Sequence, residues 1–227
     1  MTEFLRETER WREEAPVAEK TKIKLCGMRR PEDILAVNQA KPDYIGFICS
    51  RRFWRHISLE EAAVLKRMLD PGIQAVGVFV DEPYEEIAGW LKKGVIDLVQ
   101  LHGEEDEYYI RQLRKVMLFQ ETLVPVIQAF RVKTEKDLLR AGHSIADYIL
   151  LDSGAGSGVT FDWSLLDSMD RPYFLAGGLG PNNVAEAIRR FHPYAVDMSS
   201  SLETERKKDP EKIRRAVREA RNAAGCR

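Results

Sequence analysis

The fold is decided by the stretch Tyr173-Phe174-Leu175-Ala176-Gly177-Gly178-Leu179-Gly180-Pro181-Asn182-Asn183. It opens with a short apolar run, which is typical of a strand covered on both faces. A glycine turn follows, and then a proline and two asparagines, which are common where helices begin. This order of strand, turn and helix start predicts one βα unit of a parallel sheet.

The same unit recurs along the chain. Eight apolar or β-branched runs are predicted as strands: Ile23 to Cys26, Tyr44 to Ile48, Ala75 to Val80, Leu98 to Leu101, Val124 to Phe130, Tyr148 to Leu151, Tyr173 to Ala176 and Ala195 to Asp197. Capping oxygens, early prolines and acidic first turns predict helix starts at Pro31-Glu32-Asp33, Ser58-Leu59-Glu60-Glu61, Asp81-Glu82-Pro83, Pro181-Asn182-Asn183 and Asp209-Pro210-Glu211. Eight units without a long insertion favour a closed α/β barrel of the (β/α)8 TIM type over an open doubly wound sheet.

The length of 227 residues suits one such barrel, since these domains span about 200 to 400 residues. We assign residues 21–227 to a single barrel domain and residues 1–20 to an N-terminal extension. Apolar residues in that extension have helical spacing, which is consistent with a short amphipathic helix and equally with a frayed charged tail.

Composition excludes several classes of partner. The 35 Lys and Arg nearly balance the 36 Asp and Glu, so no large field of one sign argues for a nucleic acid or an anionic membrane. Three cysteines, Cys26, Cys49 and Cys226, give neither a disulfide framework nor the spacing of a zinc site. With no signal-peptide pattern and no run of about 18 apolar residues, the sequence predicts a cytoplasmic protein that acts on a small molecule.

Glycines and serines after the last strands indicate a phosphate site. Gly177-Gly178 after the seventh strand and Ser199-Ser200 after the eighth can present backbone N–H groups to an anion, at the position of many phosphate sites in such barrels. Gly156-Ser157-Gly158 after the sixth strand could close over it. One glycine pair alone would indicate only a tight turn. Two such stretches on consecutive strands favour a phosphate site.

Two further strand ends carry groups suited to proton transfer. Cys26 ends the first strand, and Lys24 lies on the same strand face, where its charge could favour the thiolate. Asp152 follows an apolar run, where partial burial would raise its pKa towards that of a usable acid. A buried structural thiol and a turn aspartate are the alternatives, and neither residue is decisive singly.

Several motifs, taken together, are similar to those of one enzyme family. They are Lys24-Leu25-Cys26-Gly27, Val76-Gly77-Val78-Phe79-Val80, Val99-Gln100-Leu101-His102-Gly103, Leu150-Leu151-Asp152, Thr160-Phe161-Asp162-Trp163-Ser164, Leu175-Ala176-Gly177-Gly178-Leu179 and Ala195-Val196-Asp197-Met198-Ser199-Ser200. In order and spacing they resemble the phosphoribosylanthranilate isomerases, and the resemblance runs from Lys24 to about Val217.

The resemblance implies an isomerase of tryptophan biosynthesis that needs neither a metal nor a redox cofactor. Its reaction would convert N-(5-phosphoribosyl)anthranilate to 1-(2-carboxyphenylamino)-1-deoxyribulose 5-phosphate. Cys26 matches the general base, Asp152 the general acid, and Arg55 the arginine that holds the anthranilate carboxylate. Asp197 matches a position that approaches the substrate's amine or hydroxyls, with a turn cap as its alternative. The phosphate-binding positions are Gly156, Ser157, Gly158, Gly177, Gly178, Ser199 and Ser200.

Two positions depart from the family pattern. Phe53 stands where a serine is common, which leaves Arg51 and Arg52 as competitors of Arg55 for the carboxylate. Ser201 replaces a usual glycine, and it would be strained if that position needed a positive φ.

Two other functions stay open on the sequence. One is an isomerase of another phosphoribosyl amine, but that chemistry is typically associated with an aspartate pair, so Cys26 argues against it. The other is a barrel that binds a phosphate ligand without catalysis, and the presence of both Cys26 and Asp152 argues against that. Association with other enzymes of the tryptophan pathway is also left open.

Overall fold

Eight parallel strands close into a barrel in the computed structural model, which describes residues 20–152, 166, 169 and 171–225. The strands follow one another in chain order, and the first pairs with the eighth. The (β/α)8 barrel predicted from the sequence is therefore confirmed. The strands are β1 (Lys22–Cys26), β2 (Tyr44–Ile48), β3 (Gln74–Phe79), β4 (Leu98–Leu101), β5 (Val126–Arg131), β6 (Tyr148–Asp152), β7 (Tyr173–Ala176) and β8 (Ala195–Met198).

The strand boundaries lie within two residues of those predicted from the apolar runs. The largest difference is in β5, which was predicted from Val124 and begins at Val126. Pro125 between them lacks the N–H that a strand ladder needs. Its carbonyl oxygen instead accepts a hydrogen bond from the Val99 N–H at 3.1 Å.

Seven α-helices lie in the described part of the chain: α1 (Pro31–Ala40), α2 (Leu59–Met68), α3 (Tyr84–Lys92), α4 (Glu107–Phe119), α5 (Glu135–Gly142), α6 (Val184–Phe191) and α7 (Pro210–Ala224). The predicted capping is confirmed at α2, where the Ser58 hydroxyl accepts from the Glu61 N–H, and at α7, where Asp209 accepts from the first turn. Across the described residues, no helix combines the length and apolarity that crossing a bilayer requires.

The barrel interior is apolar at the N-terminal ends of the strands and polar at the other end. Every second residue of a strand points inward. One buried cluster fills the interior near the N-terminal ends of the strands. Its larger members are Tyr44, Val76, Leu98, Ile127, Leu150, Phe174 and Tyr194. The Tyr44 and Tyr194 hydroxyls lie 3.2 Å apart, so the phenols satisfy each other's polar groups. Gln100 and Asp152 come two residues after Leu98 and Leu150 of this cluster, so their polar side chains lie nearer the C-terminal ends of the strands.

The chain between β8 and α7 forms a short structure of its own. A 3-10 helix, Ser200–Leu202, leads into a two-stranded hairpin of β9 (Glu203–Thr204) and β10 (Lys207–Lys208). The ammonium of Lys208 donates to the Ser199 carbonyl oxygen at 2.9 Å. This contact fixes the hairpin against the C-terminal end of β8.

Candidate active site

Cys26 and Asp152 end β1 and β6 at the same end of the barrel. Leu150, two residues before Asp152, belongs to the interior cluster, so the Asp152 side chain faces the same interior. Cys26 is 6% exposed, and its thiol contacts the neighbouring strand β2 at Gly46. The two predicted proton-transfer groups therefore border one space.

A buried ion pair lies beside Cys26. Lys24 has no exposed surface and donates to Oδ2 of Asp197 at 2.8 Å, across the β1–β8 pairing. The other oxygen of Asp197, Oδ1, is buried and has no hydrogen-bond partner among the described residues. Asp197 is therefore a partner of Lys24 rather than a turn cap, and one of its oxygens is available as an acceptor.

Charges around Lys24 keep it cationic. Burial lowers the pKa of Lys24, but the charge and the hydrogen bond of the Asp197 carboxylate raise it, and the net shift of the pKa is upward. The ammonium thus persists inside the barrel although it is fully enclosed.

The thiol of Cys26 responds in the opposite way. Burial raises the pKa of Cys26, and the positive charges of Lys24 and Lys208 lower it by less, while Asp197 adds to the rise. As expected from the sequence, the charge of Lys24 lowers the pKa of Cys26. Burial has the larger effect, so the expectation that Lys24 favours the thiolate overall is wrong. Burial therefore favours the neutral thiol of Cys26 over its thiolate.

The position of the thiol depends on a glycine. Gly46 pairs with Cys26 across β1 and β2, and a Cβ built on Gly46 would lie 2.6 Å from Sγ of Cys26. Real Cβ atoms do not approach sulfur this closely, so any larger residue at position 46 would displace the thiol or the β2 backbone.

We expect Gly46→Ala to lower the free energy of unfolding by about 1 to 3 kcal/mol, because it overpacks the interior at the thiol. Urea unfolding measures the change. Gly89→Ala is the matched control, since nothing lies within 4 Å of a Cβ at this position in α3. There we expect a gain of about 0.5 to 1 kcal/mol. A Gly46→Ala protein as stable as the parent would contradict the close approach.

A histidine lies beside the carboxylate of Asp152. His102 follows β4, and its Nε2 is 3.7 Å from Oδ2 of Asp152. The Gln100 amide nitrogen lies 2.9 Å from Nδ1 of the same ring. In the tautomer whose Nδ1 accepts from this amide, the ring proton is on Nε2, which faces Asp152.

The structure describes two of the three predicted phosphate-binding loops, those after β7 and β8. Gly177 and Gly178 have φ values of 101° and 65°, in the left-handed region that favours glycine. The Ser199 hydroxyl donates to the Cys26 carbonyl oxygen at 3.1 Å, which ties the end of β8 to β1. Ser200 begins the 3-10 helix, whose first N–H groups are suited to an anion. The three other predicted positions, Gly156, Ser157 and Gly158, lie outside the described residues.

The expected strain at Ser201 is absent. Ser201 is not among the described residues with a positive φ, so its side chain costs no backbone energy there. Its hydroxyl instead donates to the Leu179 carbonyl oxygen, and a Cβ on Gly180 would lie only 2.6 Å from the Ser201 Cβ. Serine at this position thus joins the loops that follow β7 and β8.

Arg55 lies at the end of the barrel that carries Cys26. Its Cδ would be 3.0 Å from a Cβ built on Gly27, the residue after Cys26. Its guanidinium carbon is 4.3 Å from the centre of the Trp54 ring. Nε and Nη2 donate to the two carboxylate oxygens of Glu203 at 2.7 and 3.0 Å. The predicted carboxylate anchor therefore already carries a carboxylate from its own chain.

The competing arginines of this loop point elsewhere. Arg52 donates from Nη1 to Oδ2 of Asp81 at 2.8 Å, on the side of β3. Arg51 is exposed, as is Phe53, which replaces the serine common in the family. The substitution at position 53 thus leaves Arg55 as the arginine beside Gly27.

Three residues of this region were not singled out in the sequence: His102, Glu203 and Lys208. The signal for His102 was present, since it follows Gln100 by two residues at the end of a predicted strand. Glu203 and Lys208 gave no such signal. Their contacts with each other, at 3.0 Å, depend on a hairpin in a segment without predicted structure.

Comparison with known proteins assigns the chain to a family. The model of the N-(5'-phosphoribosyl)anthranilate (PRA) isomerase family matches residues 23–219. N-(5'-phosphoribosyl)anthranilate isomerase of Endomicrobium trichonymphae is 43% identical over 202 residues, which are 87% of this chain and 96% of that protein. The enzyme of Streptococcus mutans is 42% identical over 200 residues, which are 87% and 97% of the two chains.

Solved structures agree with the sequence comparison. The phosphoribosyl anthranilate isomerase of Thermotoga maritima superposes with a TM-score of 0.79 at 36% identity and covers 89% of this chain and 99% of its own. A phosphoribosyl anthranilate isomerase in complex with reduced 1-(o-carboxyphenylamino)-1-deoxyribulose 5-phosphate superposes with a TM-score of 0.77 at 35% identity, with coverage of 89% and 99%. The chain therefore belongs to the N-(5'-phosphoribosyl)anthranilate isomerase family.

Proposed function

We propose that this chain catalyses the isomerisation of N-(5-phosphoribosyl)anthranilate to 1-(2-carboxyphenylamino)-1-deoxyribulose 5-phosphate in tryptophan biosynthesis. The reaction is an Amadori rearrangement, an intramolecular oxidation and reduction of the aldose–ketose type. The observation that carries the proposal is the family match over residues 23–219, in a barrel whose β1 and β6 end in a thiol and a carboxylic acid.

In the proposed mechanism, Asp152 begins the reaction as an acid. It donates its proton to the furanose ring oxygen while the bond from that oxygen to C1 breaks, and the nitrogen lone pair forms the iminium. Nε2 of His102 lies 3.7 Å from Oδ2 of Asp152, and in the proposed mechanism it carries the ring proton. It can therefore stabilise the negative charge that Asp152 acquires on losing its proton.

Cys26 completes the proposed rearrangement as a base. Its thiolate removes the proton from C2, the C2 electron pair forms the enolamine, and the iminium nitrogen accepts the displaced electrons. Protonation at C1 and loss of the proton from the C2 hydroxyl then give the ketone. Lys24 and Lys208 stabilise the thiolate electrostatically, so these two cations offset part of the cost of ionising a buried thiol.

Two anionic ends of the substrate need fixed partners. We propose that Arg55 binds the anthranilate carboxylate and that Gly177, Gly178, Ser199 and Ser200, with Gly156, Ser157 and Gly158, bind the phosphate. The positive φ values of the glycine pair support this, because a turn without side chains lets a phosphate approach its backbone closely. The unpartnered oxygen of Asp197 is proposed to accept from the substrate's amine or a hydroxyl.

Turnover of freshly prepared phosphoribosylanthranilate, followed by the loss of anthranilate fluorescence, tests the function directly. We expect saturable turnover without an added metal or redox cofactor. Binding of the reduced product analogue without turnover would favour the barrel that binds but does not catalyse. Activity on the histidine-pathway aldose amine alone would favour the isomerase of another phosphoribosyl amine.

Arg55→Ala should weaken binding of the reduced product analogue by about ten- to a hundredfold, because a charge-assisted hydrogen bond contributes about 1.5 to 3 kcal/mol. Inhibition by inorganic phosphate should change little, because phosphate binds at the other end of the site. Calorimetric titration measures both ligands. Arg51→Ala is the control, since Arg51 is exposed in the same loop. Should Arg51→Ala produce the loss and Arg55→Ala not, the assignment of Arg55 is wrong.

A further inference from the structure

The Arg55 side chain contacts three neighbours. Glu203 binds its guanidinium through Nε and Nη2, the Trp54 ring covers one face of the guanidinium at 4.3 Å, and Cδ lies so close to Gly27 that a Cβ on the glycine would be 3.0 Å away. A long arginine side chain loses much rotational entropy when a ligand orders it. An arginine that is already ordered binds a ligand without that cost.

Glu203 uses only part of the donor capacity of Arg55. A guanidinium has five N–H groups, and a carboxylate that bonds Nε and one terminal nitrogen occupies its side edge. The end edge, formed by Nη1 and the second N–H of Nη2, bonds no described residue. A second carboxylate can therefore bind the end edge bidentately while Glu203 keeps the side edge.

Glu203 is itself firmly placed and charged. Its side chain is 9% exposed, and Oε1 also accepts from Lys208 Nζ at 3.0 Å. Burial raises the pKa of Glu203, but the bonds and charges of Arg55 and Lys208 outweigh burial and lower the pKa overall. Since Lys208 also donates to the Ser199 carbonyl oxygen, the carboxylate is anchored to the end of β8.

We propose that Glu203 is the positioning residue of the substrate-carboxylate site: it holds the side edge of the Arg55 guanidinium so that the end edge receives the aromatic carboxylate of the substrate. This inference rests on the proposed function. Glu203 itself touches no reacting atom in this proposal and acts only through Arg55.

Glu203→Gln tests the proposal, because the amide keeps the size of the side chain and removes its charge. We expect the affinity for the reduced product analogue to fall by about tenfold and KM to rise in parallel. The affinity for the same analogue without its carboxyl group should not change, and kcat should change little. Glu205→Gln on the same hairpin is the control, since that side chain is exposed.

The double variant Arg55→Ala, Glu203→Gln distinguishes the positioning of Arg55 from a purely structural role of Glu203. If Glu203 acts through Arg55, the double variant binds the analogue no more weakly than Arg55→Ala alone. Equal loss of both analogues, or additive losses in the double variant, would show that Glu203 has only a structural role. Tighter binding by Glu203→Gln would show that it competes with the ligand for Arg55.

Measurements on the parent protein distinguish a failure of this inference from a failure of the proposed function. If the parent turns over phosphoribosylanthranilate and Glu203→Gln binds the analogue as tightly as the parent does, only the inference fails. If the parent neither binds the analogue nor turns over the substrate, the proposed function fails and the inference fails with it.

Discussion

Asp152→Asn is expected to lower kcat by about 100- to 10,000-fold, the usual contribution of a general acid. The amide has the size of the carboxylic acid but cannot transfer a proton to the ring oxygen, so ring opening would lack its acid. We expect the affinity for the reduced product analogue to stay near the parent value, because that ligand has no ring to open. Steady-state kinetics and a binding titration on the same preparation measure both quantities.

The control for this variant is Glu104→Gln, which removes a negative charge from the exposed loop after β4. It should leave kcat unchanged, so the loss in Asp152→Asn cannot come from net charge at this end of the barrel. A kcat within a few-fold of the parent in Asp152→Asn would overturn the acid assignment. His102, whose Nε2 is 3.7 Å from Asp152, would then be the next candidate for the acid.

The strands could be predicted because each one is an apolar run that both faces of the sheet bury. The run 173–176 is enclosed completely, and its predicted limits agree with β7 at both ends. Where the prediction was less accurate, at β5, the deciding feature was local: a proline that cannot donate to the neighbouring strand. An apolar run and a proline are features of a short segment, so a sequence reveals them.

Partners of the site residues were harder to predict, because they depend on distances across the barrel. Arg55 and Glu203 are 148 residues apart in sequence, yet they form a bidentate pair. The sequence shows an arginine in the loop after β2, and only the folded hairpin shows which carboxylate it meets. Lys24 and Asp197, 173 residues apart, give a second example.

The protonation of Cys26 shows a further limit of sequence analysis. The motif places a cation two residues before the thiol, and a cation lowers a thiol pKa. Burial acts in the other direction and has the larger effect here. Since burial depends on how all eight strands close, the net direction could not be obtained from the motif.

Cys26→Ser is expected to lower kcat by about 100- to 10,000-fold. The serine hydroxyl is nearly the same size as the thiol but is a much weaker acid, so the base that removes the C2 proton would be almost unpopulated. The fold should be retained, because Gly46 leaves room for either side chain. Cys49→Ser is the matched control, since Cys49 is a second buried cysteine whose thiol donates to the Phe47 carbonyl oxygen and has no part in the proposed chemistry.

The pH dependence of kcat/KM gives this assignment a second, independent test. The active form of Cys26 is the thiolate, and its pKa in the free enzyme is raised above the ordinary value of 9.0. Because the proposed reaction needs the Cys26 thiolate together with protonated Asp152, kcat/KM should fall on the alkaline side, and the raised pKa of the thiol should place that fall above pH 9. Lys208→Met removes a charge that lowers this pKa, so it should move the fall to still higher pH. A parent profile that already falls below pH 8, with unchanged turnover in Cys26→Ser, would show that another group removes the proton.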